Sequence, residues 1–318
     1  MIYFLIMILL LISTFLSIAF FTLMERKILS YMQNRKGPNK TLIMGILQPF
    51  SDAIKLFSKE MNLNFKSNYI IYYMFPLLNI ICSLMMWMIY PFYWNFNFNK
   101  FNILMLMSMM SINMIIIMLI SWSSNSNYAM IGLMRSIAQM ISYEINLMII
   151  IMTIVNLTEQ LNFNYMFIMQ KYMMFYLYLM FLFYIWIITI LAETNRTPFD
   201  FSEGESELIS GFNIEYSSFS FAFIFLAEYS NILIMSLITL TMFFNMKMSS
   251  MIFFFTFMIL CFLFIWTRCT LPRFRYDKLM YLTWIKFLPL TILYFFFSLS
   301  FKLYYTKKND KTKDYLKI

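Results

Sequence analysis

The chain has 318 residues, of which 62% are hydrophobic, 21% aromatic and 12% charged, and it carries a formal net charge of +9. A soluble core of this length does not need so much apolar surface, whereas a polytopic helical membrane protein does. There is no histidine, and Cys82, Cys261 and Cys269 stand alone in or beside apolar runs, so no metal site, haem or iron–sulfur cluster is expected. No glycine-rich nucleotide fingerprint follows a strand either, so the chain by itself holds no electron carrier.

The N-terminal apolar run is span-length, lacks a basic flank and has no small-residue cleavage site, which reads as a first transmembrane helix rather than a signal peptide. Runs of about twenty apolar residues near 2–23, 69–90, 101–122, 136–157, 172–192, 216–243, 250–267 and 281–304 predict eight spans in one all-α integral membrane domain. Their continuity excludes the alternating strands of a barrel. An even number of spans puts both termini on one side.

Basic residues orient the loops. The segments 24–68, 123–135, 193–215 and 268–280 carry Arg26, Lys27, Arg35, Lys36, Lys40, Lys55, Lys59, Lys66, Arg135, Arg196, Arg268, Arg273, Arg275 and Lys278, against Lys100, Lys171 and Lys247 opposite. The first-loop side is therefore expected to be the inner one. The lysine-rich tail, 305–318, then falls outside against the rule, as a disordered tail can. Within the first loop, 41–59 (TLIMGILQPFSDAIKLFSK) places Ile46, Phe50, Ile54 and Phe57 at helical spacing, with Asp52, Lys55 and Lys59 on other faces. Pro49 starts or kinks a helix there, so a short amphipathic helix over roughly 49–59 at the inner surface is predicted.

The acids are the chemical anomaly. Glu193, Asp200, Glu203, Glu205, Glu207, Glu215 and Glu228 gather in one stretch of a chain with only fifteen acids. A carboxylate at the bilayer centre costs about 2.5–3.5 kcal/mol, so such groups sit in protein or water and usually mark an ion or proton route. Glu144 lies roughly 13 Å along the fourth span from Arg135, and Glu228 roughly 18 Å into the sixth. Asp200, Glu203 and Glu207 share a face if their stretch is helical. Glu205 is the most readily solvated of them, and Glu215 also suits the positive end of the sixth helix. Without histidine, crowded carboxylates are the groups suited to passing protons near neutrality.

Four segments together are more specific than composition: 24–37 (MERKILSYMQNRKG) with 48–60 (QPFSDAIKLFSKE), 127–144 (NYAMIGLMRSIAQMISYE), 192–216 (AETNRTPFDFSEGESELISGFNIEY) and 271–279 (LPRFRYDKL). They resemble the chain 1 family of NADH–ubiquinone oxidoreductase, membrane subunits of respiratory complex I, in order and over essentially the whole chain. The resemblance implies a mitochondrial inner-membrane subunit where the membrane and peripheral arms meet, with its first-loop side toward the matrix and both termini toward the intermembrane space. It implies ubiquinone as substrate in a site shared with partner subunits, with other membrane subunits, peripheral-arm subunits and lipid as partners and no nucleic acid. Arg26, Arg35 and Arg275 would border a quinone tunnel, entered past Phe50, Asp52 and Lys55, and the acids would begin a proton path. One departure stands out: relatives commonly carry glycine two or three residues before Gly45, where this chain has Leu42.

Each of these residues has a plainer reading. Arg26, Arg35, Arg196, Arg273 and Arg275 also serve as positive-inside anchors, Asp52 also pairs with Lys55 or with a partner subunit, and the 41–59 helix also merely rests on headgroups. A proton- or cation-coupled transporter or channel would use the same acids, but predicts internal repeats and broken spans that the sequence does not display. A purely structural anchor leaves Glu144 and Glu228 unexplained.

Overall fold

Lipid cannot hydrogen-bond a peptide group, so an apolar chain that enters it satisfies its backbone internally, and a helix does this within one segment. A computed structural model of the chain describes residues 2–61, 67–91, 100–171, 174–202, 204, 211–213, 215–246 and 250–315, with no strand among them. The helices are α1 (Ile2–Met32), α2 (Gln48–Ser58), α3 (Tyr69–Ile89), α4 (Asn102–Ser123), α5 (Asn127–Thr158), α6 (Phe163–Met169), α7 (Phe175–Tyr178), α8 (Met180–Glu193), α9 (Ser218–Phe243), α10 (Met251–Thr270), α11 (Tyr276–Tyr281) and α12 (Leu288–Tyr315). A π-helical stretch, Leu282–Phe287, joins α11 to α12. Seven of these segments are long and apolar enough to cross a membrane, and α8 is a shorter apolar helix. The chain is thus an all-α polytopic membrane protein.

Helix ends and apolar ends do not coincide. α1 continues through Arg26 and Lys27 to Met32, and α5 begins at Asn127, before Arg135. With 32 residues, α5 is about 48 Å long, well beyond a ~30 Å hydrocarbon core. Backbone hydrogen bonding does not stop where lipid stops. The fifth expected span differs in kind, because Leu179 (φ −116°, ψ 40°) interrupts it between α7 and α8. The tail differs too: α12 runs to Tyr315 where disorder is expected, and neither glycine nor proline follows Pro289 to end it.

Two helices organise the bundle. α9 packs on α3, α10, α1 and α2 and is largely enclosed, while α5 packs on α4, α8 and α12. Polar side chains fix their neighbours. Gln139 Nε2 donates to the carbonyls of Ala192 (2.8 Å) and Phe199 (2.7 Å), tying α5 to the end of α8 and the loop after it. At the opposite end, Gln170 Nε2 donates to Met242 O (2.7 Å), and Asn245 Nδ2 donates back to Gln170 O (2.9 Å).

The amphipathic helix α2 lies against α1 and α9, started by Pro49 in its first turn. The turn before it is strained. Leu42 (φ 57°, ψ −166°) and Met44 (φ 58°) occupy left-handed backbone, and the Lys27 ammonium donates to Met44 O (2.5 Å). Gly45 (φ 73°) is the one residue there suited to such a conformation, and a Cβ on it would stand 2.2 Å from Pro38 O. Leu42 therefore adopts a backbone that glycine takes freely. We expect Leu42→Gly to raise the thermal midpoint of the purified full chain, by the equivalent of about 1 kcal/mol. Gly45→Ala lowers that midpoint, and calorimetry in detergent reads both.

Candidate ionic site at one end of the bundle

The end of the bundle that carries α2 also gathers the C-termini of α1, α4, α8 and α10 and the N-termini of α3, α5 and α9, so loops distant in sequence meet there. At its centre is Glu25, buried in the last third of α1 at 4% exposure. Its Oε1 accepts from Arg196 Nη1 at 3.2 Å and from Arg268 Nη1, at the end of α10. The Arg196 guanidinium also stacks 4.6 Å from the ring centroid of Tyr229. Burial alone would weaken its hold on its proton, but Glu25, Tyr229 and Glu228 beside it raise its pKa above the ordinary value. Arg196 is therefore not a headgroup anchor. It is half of a buried ion pair, with Glu228 of α9 within its electrostatic reach.

The following loop is pinned on both sides. Asp200 pairs with Arg273 (3.3 Å), and Phe274 N donates to Pro198 O (3.1 Å), joining the segment after α8 to the segment after α10. Asp200 lies in irregular backbone rather than on a helix face. Glu215 precedes Ser217, the N-cap of α9, and its carbonyl accepts from the Tyr72 hydroxyl at 2.5 Å. Tyr72 stacks on Tyr216 with centroids 4.3 Å apart, and the Tyr216 hydroxyl meets Ser123 Oγ (2.9 Å) and Ile120 O (2.9 Å). Burial pushes the Tyr216 phenol above its usual pKa despite the Ser123 bond, so it stays a neutral donor.

Glu144 and Glu193 come together from different helices. Both line one crevice with Met107, Met110, Leu147 and Met148, too narrow for a water-sized sphere. Glu193 Oε2 is buried and, among the described residues, has no hydrogen-bond partner. Such an oxygen is costly as a carboxylate and cheap as a carboxylic acid. Glu203, Glu205 and Glu207 lie outside the described residues, as do Lys66, Lys247 and Lys317.

The residues expected around a quinone divide. Arg26 and Asp52 form an ion pair, with Gln48 Nε2 also donating to Asp52 at 2.8 Å, and both line a cavity of about 370 Å³. Its walls are apolar: Ile18 and Ala19 from α1, Leu56 and Phe57 from α2, and Phe221 and Phe225 from α9. Asp52 therefore pairs with Arg26 across two elements, not with Lys55, which is exposed. Phe50 packs edge-on against Phe20 (6.2 Å) outside that lining. Arg35 is exposed beyond α1, and Arg275 is exposed and pairs with its neighbour Asp277 at 2.9 Å.

Sequence reading overlooked Glu25, Gln139, Tyr229 and the pairing of Arg268. Glu25 had a signal, as the first acid after a span-length apolar run, inside the 24–37 segment. Gln139 and Tyr229 had none, since a lone amide or phenol in a span ordinarily packs.

Membrane-length helices closing over buried ion pairs and facing carboxyls define a polytopic helical membrane protein with a charged interior. A family model described as NADH dehydrogenase matches residues 5–299. The chain is 49% identical over 296 residues to NADH-ubiquinone oxidoreductase chain 1 of Aedes aegypti, covering 93% of this chain and 95% of that one. It is 48% identical over 297 residues to the protein of the same name from Locusta migratoria (92% and 94% covered), and 44% over 304 residues to that of Papio hamadryas (92% and 95%). The chain belongs to the NADH dehydrogenase family, and the resemblance carried by its four motifs is borne out.

Removing one partner of a buried pair leaves an uncompensated charge, at about 3–5 kcal/mol. We expect Glu25→Gln to destabilise the protein by about 3 kcal/mol, because it leaves Arg196 buried beside Arg268. Arg268→Gln costs less, since that side chain is 41% exposed and Arg196 still holds Glu25. Thermal unfolding of the two variants in parallel measures the order.

Proposed function

We propose that the chain is a membrane subunit of the proton-translocating NADH–ubiquinone oxidoreductase, a single integral membrane domain of the mitochondrial inner membrane. Its family supports the assignment, and so do the names of its relatives. In this reading the inner, matrix-facing side carries the first loop and the ionic site, both termini face the intermembrane space, and partner subunits supply the redox centres. The positive-inside distribution of basic residues supports that orientation.

The single observation that carries a coupling role is the meeting of Glu144 and Glu193 in one crevice, at the end of the bundle that also holds the cavity between α1, α2 and α9. Ubiquinone has a polar head and a long apolar tail. A cavity with apolar walls and one charged pair, Arg26–Asp52, matches that division, and its volume falls among small-molecule sites. In our reading Arg26 and Asp52 border the quinone passage, with Phe50 and Lys55 on the outer faces of α2 and Arg35 and Arg275 toward partner subunits.

Reduction of quinone near the 193–207 segment draws protons or creates negative charge locally. Glu193, Asp200, Glu203, Glu205 and Glu207 respond first, since a nearby negative charge raises a carboxyl's affinity for its proton. Glu215 and Glu228 follow on α9 and its approach, and Glu144 passes the change toward neighbouring membrane subunits. Arg196 links Glu25 to the neighbourhood of Glu228, so movement of the loop alters both.

In the assembled complex, Glu144→Gln or Glu203→Gln is expected to abolish quinone-coupled proton pumping, and Glu193→Gln to reduce it at least tenfold, since general acid–base groups contribute about 10²–10⁴. Proton uptake in proteoliposomes reads the effect, and unchanged pumping in the Glu144 variant would sink the coupling role. Arg26→Ala is expected to raise the KM for ubiquinone with kcat less affected, which a steady-state series with short-chain quinones checks. Activity of the lone chain as a transporter in liposomes would favour the channel reading instead.

A further inference from the structure

The start of the last membrane-length segment carries charge that neither the quinone cavity nor the acid crevice uses. Phe274, Asp277, Lys278, Tyr281, Leu282 and Lys286 line a groove of about 370 Å³ there. We propose that this groove binds the phosphate headgroup of an anionic phospholipid. The inference is independent of the quinone reading and requires only that the segment enter a membrane.

Helix geometry assembles the groove. Lys278 on α11 and Leu282, the first residue after it, are one turn apart, and the π-helical stretch Leu282–Phe287 widens the next turn. Lys286 thereby returns to the same face. Its ammonium lies 5.9 Å from the Tyr281 ring centroid, pointing back toward the start of the segment as long helical side chains do. Asp277 does not oppose an anion, because Arg275 Nε stands 2.9 Å from its Oδ2. Among the described residues no carboxylate lies within ion-pair distance of Lys278 or Lys286, so the groove presents two positive charges.

The surroundings select a lipid over a soluble phosphate. Tyr281, Trp284 and Phe274 are exposed around the groove, and exposed aromatic rings settle at headgroup level. Below Lys286 the same side of the helix continues through exposed Leu293 and Phe296, a surface for acyl chains directly beneath the headgroup. Basic pockets of this kind on the inner side of helix bundles take anionic lipid heads.

The test uses the protein in its native assembly, reconstituted in phosphatidylcholine vesicles doped with photoreactive phosphatidylglycerol, with crosslinks mapped by peptide mass spectrometry. We expect labelling of residues 274–286 in the unmodified protein. The labelling affinity falls roughly thirtyfold in the Lys278→Gln/Lys286→Gln double variant, at about fivefold per lysine near a charged surface. Both lysines are exposed, so the variant folds, and Lys302→Gln, at the far end of the membrane-length segment, leaves the labelling intact. Equal labelling by photoreactive phosphatidylcholine, unchanged labelling in the double variant, or competition by inorganic phosphate alone would each overturn the proposal.

Discussion

A charge inside a membrane protein must find its opposite or shed its charge, and in this chain Glu25 finds two. Its pairing with Arg196 and Arg268 joins the first helix, the loop after α8 and the end of α10 at one point. Apolar spans do little to choose their own rotation or depth, because lipid tails are as apolar as the side chains they would touch. A buried ion pair is different. It adds little net stability, yet any arrangement that separates its members leaves a charge stranded. The loop that carries Asp200 and the approach to Glu215 inherit their positions from that constraint, with Gln139 and Tyr72 holding the backbone on either side.

Two environments share this end of the bundle. One is an apolar cavity with a single charged pair at its edge, and the other is a dry crevice with two facing carboxyls. Tyr229 stands between the first of them and the Glu25–Arg196 ion pair. It lines the cavity, and its ring carries the Arg196 guanidinium that pairs with Glu25. An amphiphile entering from the membrane would touch the wall behind which the charges are balanced.

Much of the fold was legible from the chain. Apolar runs marked the membrane-length helices, and the spacing of Ile46, Phe50, Ile54 and Phe57 marked α2 with Pro49 in its first turn. Helix limits were less legible, because hydropathy reports where lipid ends while α1 and α5 continue for turns beyond it. The break at Leu179 has no proline or glycine to announce it. Within the site, Glu144 and Glu193 were visible as acids in apolar surroundings, but their meeting is a tertiary fact. Arg196 was read among basic anchors because its partner lies 171 residues away. The Asp52–Lys55 spacing suggested a local pair, yet Arg26 from α1 took that carboxylate instead. Short-range spacing competes poorly with a guanidinium delivered by packing.

The span between Glu25 and Arg268 has a consequence for how the protein is made. The two are 243 residues apart. At a synthesis rate of roughly 5–20 residues per second, the first helix waits about 12–50 s for its second arginine. Until Arg196 emerges, 171 residues after it, the Glu25 carboxyl has no fixed cation, so it holds a proton or keeps to the aqueous boundary. Arg268 then completes the latch, and a nascent chain stopped before residue 268 holds its N-terminal helix through Arg196 alone. Quality control in the membrane thus has a chemical mark by which an incomplete chain differs from a finished one.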